Sequence, residues 1–216
     1  MSAILSSFTE EPFTKPEVLS TEPYQSRLLH LKRRDHLPSE AKSYWRIQSG
    51  YIRTFTWSLE GECVPLGFWQ QGEVVGQTIA QAHPYEAQCL SDVTVEYLGS
   101  DYGFSRESVL AQVGQSNSLL CIVHCFQVEQ RLLLFFVWLA QRLGEAIPSG
   151  YRIRPKLTHQ DIADSVNSTR VTVTRSIKVL ERAGKIRWSP RERVVYRSAV
   201  NECCGCLCEV ASSSTG

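Results

Sequence analysis

Two arginines and two threonines between residues 168 and 175 have the types and the spacing that nucleic-acid recognition needs. Arg170 and Arg175 lie five positions apart, with Thr172 and Thr174 between them. On a helix, a guanidinium can donate two hydrogen bonds to one guanine in a major groove, while hydroxyls and helix-start amides bind phosphates. The segment therefore predicts a DNA-reading helix. The alternative for a pair of arginines is a solvated basic face on a helical subdomain.

Four cysteines near the end of the chain form a second candidate site. They are Cys203, Cys204, Cys206 and Cys208. As thiolates they could bind zinc, copper(I) or a cluster, but they lie closer together than the ligand pairs of a usual zinc site, and no second pair follows. We interpret them as reduced thiols, because disulfide frameworks belong to short secreted chains. Residues 201–216 are thus predicted to be a flexible tail, with thiol or metal sensing as the alternative.

Charge is distributed unevenly along a chain whose net charge is only +1. Residues 151–200 hold twelve basic and four acidic side chains, a net charge of +8, whereas the rest of the chain carries −7. A compact basic module beside an acidic one is typical of phosphate binding.

The basic module has the pattern of two helices joined by a tight turn and followed by a hairpin. Thr158 is a plausible cap for a helix that ends at Val166, residues 167–169 form a turn, and a second helix spans 170–183 before Gly184. Residues 185–188 and 193–196 read as two short strands around a turn. Together they predict a winged helix-turn-helix.

Upstream of the basic module, the pattern changes from short strands to a long helix. Between residues 44 and 98, runs such as 51–57 and 63–69 alternate with turn signals, which is typical of a small antiparallel barrel or sandwich. From 118 to 144 the apolar spacing predicts one helix of about 26 residues. Its apolar surface is too broad for one face, so it is either a central core helix or one shared with a second subunit, which we favour.

This order of elements resembles the Crp/Fnr family of bacterial transcription factors, and the segment 168–175 is especially similar to the recognition helix of that family's cyanobacterial global nitrogen regulators. The resemblance implies an α+β fold in these parts: a flexible arm (1–23), a cyclic-nucleotide-binding-like β-roll (24–115), a dimerisation helix (116–146), a winged helix-turn-helix (150–200) and the cysteine-rich tail. It also implies a homodimer that binds double-stranded DNA at a palindrome with GTA/TAC-like half-sites, and RNA polymerase as a partner.

The resemblance assigns roles to individual residues of the basic module. Arg170, Val171 and Arg175 match base-reading positions, with Val171 in place of a glutamate that accepts a hydrogen bond from a cytosine amino group. The positions that match contacts to the DNA backbone are His159, Gln160, Ser168, Thr169, Thr172, Thr174, Arg191 and Arg193.

The β-roll keeps the family's glycine turns but lacks its cyclic-nucleotide contacts. The family's ribose-binding glutamate aligns with Gln77, and its phosphate-binding Arg-Ser pair with His83 and Pro84. Amides at Gly76, Gln77 and Thr78 could still hold an anion such as 2-oxoglutarate, with a protonated His83 as a weak substitute for arginine. We therefore predict no cofactor, and an effector that is absent or unidentified.

Other classes of protein fit the sequence less well. No serine-histidine-aspartate set, phosphate-binding loop or HExxH motif is found, so we predict that the chain is not an enzyme. The longest apolar run, residues 132–140, is too short to span a membrane, and a cytoplasmic location is expected. A ligand-binding signalling module whose basic part contacts a protein remains a rival hypothesis.

Overall fold

The computed structural model describes residues 28–38, 44–99, 102–103 and 105–207. The predicted arm at 1–23 and the end of the predicted tail, 208–216, lie outside these residues. The strands are β1 Leu28–Leu31, β2 Trp45–Ser49, β3 Ile52–Trp57, β4 Cys63–Trp69, β5 Val74–Val75, β6 Glu86–Cys89, β7 Val93–Tyr97, β8 Gly144–Ile147, β9 Gly150–Ile153, β10 Ile186–Trp188 and β11 Arg193–Tyr196. The helices are α1 Gln77–Ala80, α2 Arg106–Val123, α3 Val128–Leu143, α4 His159–Ser165, α5 Arg170–Arg182 and α6 Arg197–Leu207.

The first seven strands form two antiparallel sheets that share one apolar core. One sheet has the order β1-β7-β2-β5 and the other the order β4-β3-β6. Ile47 and Val95 from the first sheet and Ile52 and Trp69 from the second are buried in the same cluster. The alternation of buried and exposed residues along these strands is what a two-sheet sandwich needs. The predicted β-roll is confirmed, and β3 and β4 match the two predicted runs.

The predicted single helix from 118 to 144 is wrong, because two helices lie there. Helix α2 begins earlier, at Arg106, and ends at Val123, while α3 begins at Val128. The chain between them turns without glycine or proline, and the guanidinium of Arg131 donates a hydrogen bond to the carbonyl oxygen of Cys125 at 3.2 Å. Apolar residues continue at spacings of three and four across this turn, so a prediction from periodicity alone treats the two helices as one.

Helix α3 is buried within its own chain. Every residue from Leu132 to Ala140 is at most 7 % exposed. Its neighbours include α5, α6 and β9, so its broad apolar surface is the centre of the C-terminal core. The prediction that this part of residues 116–146 is shared with a second subunit is therefore wrong for α3.

The proline-serine-glycine break at 148–150 lies inside a sheet and not between domains. It forms the turn between β8 and β9, which belong to the sheet β10-β11-β9-β8. A Cβ on Gly150 would lie 2.1 Å from the carbonyl oxygen of Val195, so only glycine fits where β9 meets β11. The C-terminal unit thus begins before the predicted boundary at 150 and includes β8 and α3.

The predicted flexible tail is partly wrong as well. Residues 201–207 complete α6, and Cys203 is only 1 % exposed. Ala199, Val200 and Cys203 belong to the same core as α3. Burial of one helix face orders this stretch, because an amphipathic helix against a core gains the apolar contacts that a free tail lacks.

Candidate nucleic-acid interface

Helix α4 begins with a reciprocal cap around Thr158. The Thr158 hydroxyl accepts a hydrogen bond from the Asp161 amide at 3.1 Å, and the Asp161 carboxylate accepts one from the Thr158 amide at 2.7 Å. Two amides that the helix leaves unpaired are thereby satisfied. Asn167, at φ 46°, then turns the chain toward α5, and asparagine tolerates this left-handed conformation better than most residues.

Helix α5 buries one face and presents the other to solvent. Thr169 caps its first turn by accepting a hydrogen bond from the Thr172 amide at 3.2 Å, and Gly184, at φ 65°, follows its end. The buried residues are Val173, Ser176, Ile177 and Leu180. Arg170, Val171 and Arg175 are exposed, so the predicted base-reading residues lie together on the exposed surface of one capped helix. The predicted helix-turn-helix is confirmed.

Helix α3 fixes the turn between α4 and α5. The guanidinium of Arg131 donates hydrogen bonds to the carbonyl oxygens of Val166 at 2.8 Å and Asn167 at 2.9 Å. The Ser176 hydroxyl donates one to Glu129 at 3.1 Å. Sequence reasoning missed Glu129 and Arg131, because their partners lie 35 to 47 positions away in the chain.

The predicted backbone-contacting residues differ in exposure, and several of them hydrogen-bond within the protein. The Thr169 and Thr172 hydroxyl oxygens lie 2.9 Å apart, and the Gln160 side-chain amide donates to Asp164 at 2.7 Å. Thr169 and Gln160 are exposed, and Ser168 and Thr172 are half-buried. The Thr174 hydroxyl donates a hydrogen bond to the Arg170 carbonyl oxygen at 2.8 Å and also lies 2.8 Å from Nδ1 of His159. Its single proton goes to the carbonyl, so His159 donates through Nδ1.

The surroundings of His159 favour its neutral ring. Burial lowers the pKa of its imidazole below the ordinary value, and the charge of Arg170 lowers it further, against the effect of Glu181. A neutral ring protonated at Nδ1 has only an acceptor left at Nε2. A ring in this tautomer can donate to a phosphate only when it is protonated.

The wing is the hairpin of β10 and β11, as predicted. Its turn is closed by hydrogen bonds between Ser189 and Glu192, of which the amide-to-carbonyl bond measures 2.8 Å. Arg191 is exposed at the tip, whereas Arg193 is half-buried with its guanidinium 6.0 Å from the centre of the Trp188 ring. Arg191 is the more accessible of the two predicted phosphate contacts.

An ionic cluster connects the β-roll to the first helix of the helix-turn-helix. Arg34 donates two hydrogen bonds to the Asp161 carboxylate, at 3.0 and 2.9 Å. Arg53 lies 3.2 Å from Asp161 and 3.4 Å from Asp164. Both arginines also donate to Gln88, at 3.1 and 3.0 Å. These partners are distant in sequence, so no local pattern could have predicted the cluster.

The cluster makes the stability of the protein sensitive to acid. Burial raises the pKa of the Asp161 carboxyl, but hydrogen bonds from Arg34, the charge of Arg53 and the bonds from Thr158 outweigh it and hold the pKa below the ordinary value. A carboxyl with a lowered pKa stabilises the fold above the pKa of the unfolded chain, about 3.9. That stabilisation is lost as the pH falls through the folded pKa.

We expect Asp161→Asn to be less stable than wild type at pH 7 and to lose less stability between pH 6 and pH 3. Urea unfolding at several pH values measures both effects. Asp92→Asn is the matched control, because Asp92 also has a lowered pKa but is exposed and pairs with Lys32 at the surface. Parallel curves for Asp161→Asn and wild type would contradict the expectation.

Comparisons with known proteins identify the family. A model of the Crp-like helix-turn-helix domain matches residues 130–198. The regulatory protein CysR of Synechococcus elongatus is 34 % identical over 183 residues, which cover 83 % of this chain and 88 % of CysR. The chain belongs to the Crp/Fnr family. The Global nitrogen regulator of Synechocystis sp. is another relative of this Crp/Fnr chain, 39 % identical over 66 residues that cover 31 % of this chain and 29 % of the regulator.

Solved structures of Crp/Fnr proteins share the fold. A CRP-family regulator from Thermus thermophilus superposes with a TM-score of 0.67 at 20 % identity, covering 85 % of this chain and all of that one. FixK2 from Bradyrhizobium japonicum superposes with a TM-score of 0.65 at 15 % identity, covering 82 % and 96 %. Together with the named relatives, membership of the Crp/Fnr family makes the chain a transcription regulator and not an enzyme.

The region predicted to hold an effector has glutamine and histidine, Gln77 and His83, where the family has a carboxylate and a guanidinium. Gln77 begins the short α1, and its amide nitrogen lies 3.1 Å from Nδ1 of the exposed His83. Gly76 precedes α1, and Thr78 lies within it. The side chains of Gln77 and His83 contact each other across the turn.

The cysteines of the β-roll do not have the properties of reactive thiols. Burial, the largest cause, raises the pKa of Cys63 and of Cys89 to about 12. Both thiols are therefore protonated at neutral pH, and they react slowly because the thiolate is the reactive form.

Among the described residues, no group of three or more potential metal ligands is placed to hold an ion. Within those residues there is also no helix with the length and hydropathy of a membrane span.

Proposed function

We propose that the protein regulates transcription by binding, as a homodimer, to a palindromic DNA site with GTA/TAC-like half-sites. The observation that carries this proposal is the exposed face of α5, where Arg170 and Arg175 project from a capped helix. Each arginine can donate two hydrogen bonds to a guanine in the major groove. In this proposal the DNA backbone is contacted by Gln160, Ser168, Thr169, Thr172 and Arg191, with smaller contributions from His159, Thr174 and Arg193.

Helix α2 supplies the surface for the second subunit. Leu110, Val113 and Leu120 are 57 %, 48 % and 55 % exposed. With Asn117 and His124 they follow the alternating spacing of three and four that marks the seam of a two-stranded coiled coil. The opposite face holds the buried Gln112, Gln115, Leu119 and Ile122. The exposed apolar seam favours dimerisation through α2.

Dimerisation explains why the site should be a palindrome. Two recognition helices related by a twofold axis read inverted half-sites about 34 Å apart, one turn of the double helix. Asn117 lies within the seam, and a polar residue at such a position fixes the register of paired helices.

Control of DNA binding in this proposal does not use cyclic nucleotides. Gln77 and His83 contact each other, and they stand at the positions of the carboxylate and the guanidinium that hold a cyclic nucleotide in the family. RNA polymerase is the expected protein partner, because a regulator of this family acts on transcription.

Fluorescence anisotropy tests the proposal directly. A labelled GTA/TAC palindrome and a scrambled duplex are titrated with the full chain at two salt concentrations, with and without 2-oxoglutarate and cyclic AMP. We expect tighter binding to the palindrome, a steep loss of affinity with salt, and no response to cyclic AMP. Equal weak binding to both duplexes would leave only a basic surface and would reject the base-reading assignment.

A further inference from the structure

We propose that Val171 selects a thymine in each half-site by packing its isopropyl group against the thymine 5-methyl group. This inference rests on the proposed DNA binding and goes further, because it names the base that an apolar residue of the recognition helix reads.

Val171 is mostly exposed and lies outside the protein's apolar cores. Its side chain is 60 % exposed, and it belongs to neither of the two buried clusters. A β-branched residue is less favourable in a helix than a straight-chain one, and an exposed isopropyl group gains little from folding. Val171 therefore presents apolar surface that the folded chain does not use.

The position of Val171 places that surface among the residues that reach base edges. It is the second residue of α5, next to Arg170 and one helical turn before Arg175, and both arginines are exposed. Residues four apart lie on the same side of a helix, so Val171 and Arg175 share one face. If these arginines contact bases in the major groove, Val171 lies at the depth of the bases and not at the phosphates.

The chemistry of the groove then identifies the base. Guanine, cytosine and adenine present hydrogen-bonding groups along their major-groove edges, whereas thymine adds the only apolar group, its 5-methyl. Valine can neither donate nor accept, so packing it on a cytosine amino group or a guanine edge would remove water without replacing a hydrogen bond. A GTA/TAC half-site contains two thymines, one on each strand, and either could supply the methyl group.

Replacement of thymine by deoxyuridine removes this methyl group and leaves base pairing intact. Palindromes with deoxyuridine at one thymine position or the other, in both half-sites, are compared with the unmodified duplex by anisotropy. At one of the two positions we expect affinity to fall about fourfold per half-site, or roughly 15-fold for the whole site, which is the effect of losing one buried methyl group at each end.

Two variants connect the effect to the side chain. Val171→Ala should bind the thymine duplex more weakly than wild type and should no longer distinguish thymine from deoxyuridine. Val179→Ala is the matched control, since Val179 is an exposed valine on the same helix two turns further on. It should keep the full preference for thymine. Circular dichroism melting checks that both variants fold like wild type.

The outcomes separate this inference from the proposed function. If wild type prefers the palindrome to the scrambled duplex but binds the thymine and deoxyuridine versions equally, the role of Val171 is wrong and the proposed function stands. Retention of the thymine preference by Val171→Ala would also overturn it. If wild type does not prefer the palindrome at all, the proposed function fails and the role of Val171 fails with it.

Discussion

Arg170→Ala should lower the affinity for the palindrome by about 30-fold or more while leaving binding to a scrambled duplex nearly unchanged. Loss of a bidentate contact to guanine costs about 1–3 kcal/mol, and a symmetric site loses it twice. Arg170 is exposed and is the first residue of a helix capped by Thr169, so its removal should not unfold the domain. Anisotropy with both duplexes measures the effect.

Arg191→Ala is the contrasting variant. Arg191 is exposed at the tip of the wing, where a phosphate contact would be independent of sequence. Its loss should weaken binding to both duplexes to a similar extent and reduce the slope of log affinity against log salt by about one per contact. Equal losses on the two duplexes for Arg170→Ala would show that Arg170 contacts the backbone and would refute its base-reading role.

The double variant Val113→Glu/Leu120→Glu should convert the protein to a monomer and lower its affinity for the palindrome by about 100-fold or more. Both residues are exposed on α2 in the single chain, so the substitutions leave the chain's own core intact. In a coiled-coil dimer they would place like charges against each other in the seam. A monomer also loses the gain that two linked binding sites provide.

Light scattering after size exclusion measures the oligomeric state, since one chain has a mass of 24.4 kDa. Leu59→Glu is the control, because Leu59 is a fully exposed apolar residue of the loop between β3 and β4 and is not part of α2. It should remain dimeric and bind DNA normally. A double variant that stays dimeric would place the subunit interface elsewhere.

Local signals predicted the DNA-binding module well. Thr158 with Asp161, Thr169 with Thr172, and Gly184 each mark a helix end by chemistry that operates within a few residues. Val173, Ile177 and Leu180 have the spacing of one helix face, and this face is buried, whereas Arg170 and Arg175 are exposed. Such features depend on neighbours in sequence, so the chain alone reveals them.

Features that depend on distant partners were not predictable. The turn between α2 and α3 contains neither glycine nor proline, and one of its hydrogen bonds runs from the Arg131 side chain to the carbonyl oxygen of Cys125. Asp161 lies 127 positions from Arg34, so only the packing of the β-roll on α4 reveals the ionic cluster. Tertiary packing decided these outcomes.

The cysteine-rich end shows a signal that composition concealed. Ala199, Val200 and Cys203 have the spacing of one helix face, and all three are buried. Attention to cysteine as a metal ligand hid its behaviour as a small apolar residue. In α2, the spacing of Leu110, Val113 and Leu120 marks an exposed helix seam that begins before the segment 116–146 predicted for dimerisation and extends into it.

Selection of bound sequences from a random duplex library would test most directly whether this chain is a dimeric, sequence-specific regulator. The full chain is incubated with the library at moderate salt, and bound duplexes are amplified and sequenced over several rounds. We predict enrichment of inverted repeats with GTA and TAC half-sites whose centres lie about one helical turn apart. Enrichment of a single half-site or a direct repeat would contradict the twofold dimer, and no enriched motif would contradict sequence-specific recognition by α5.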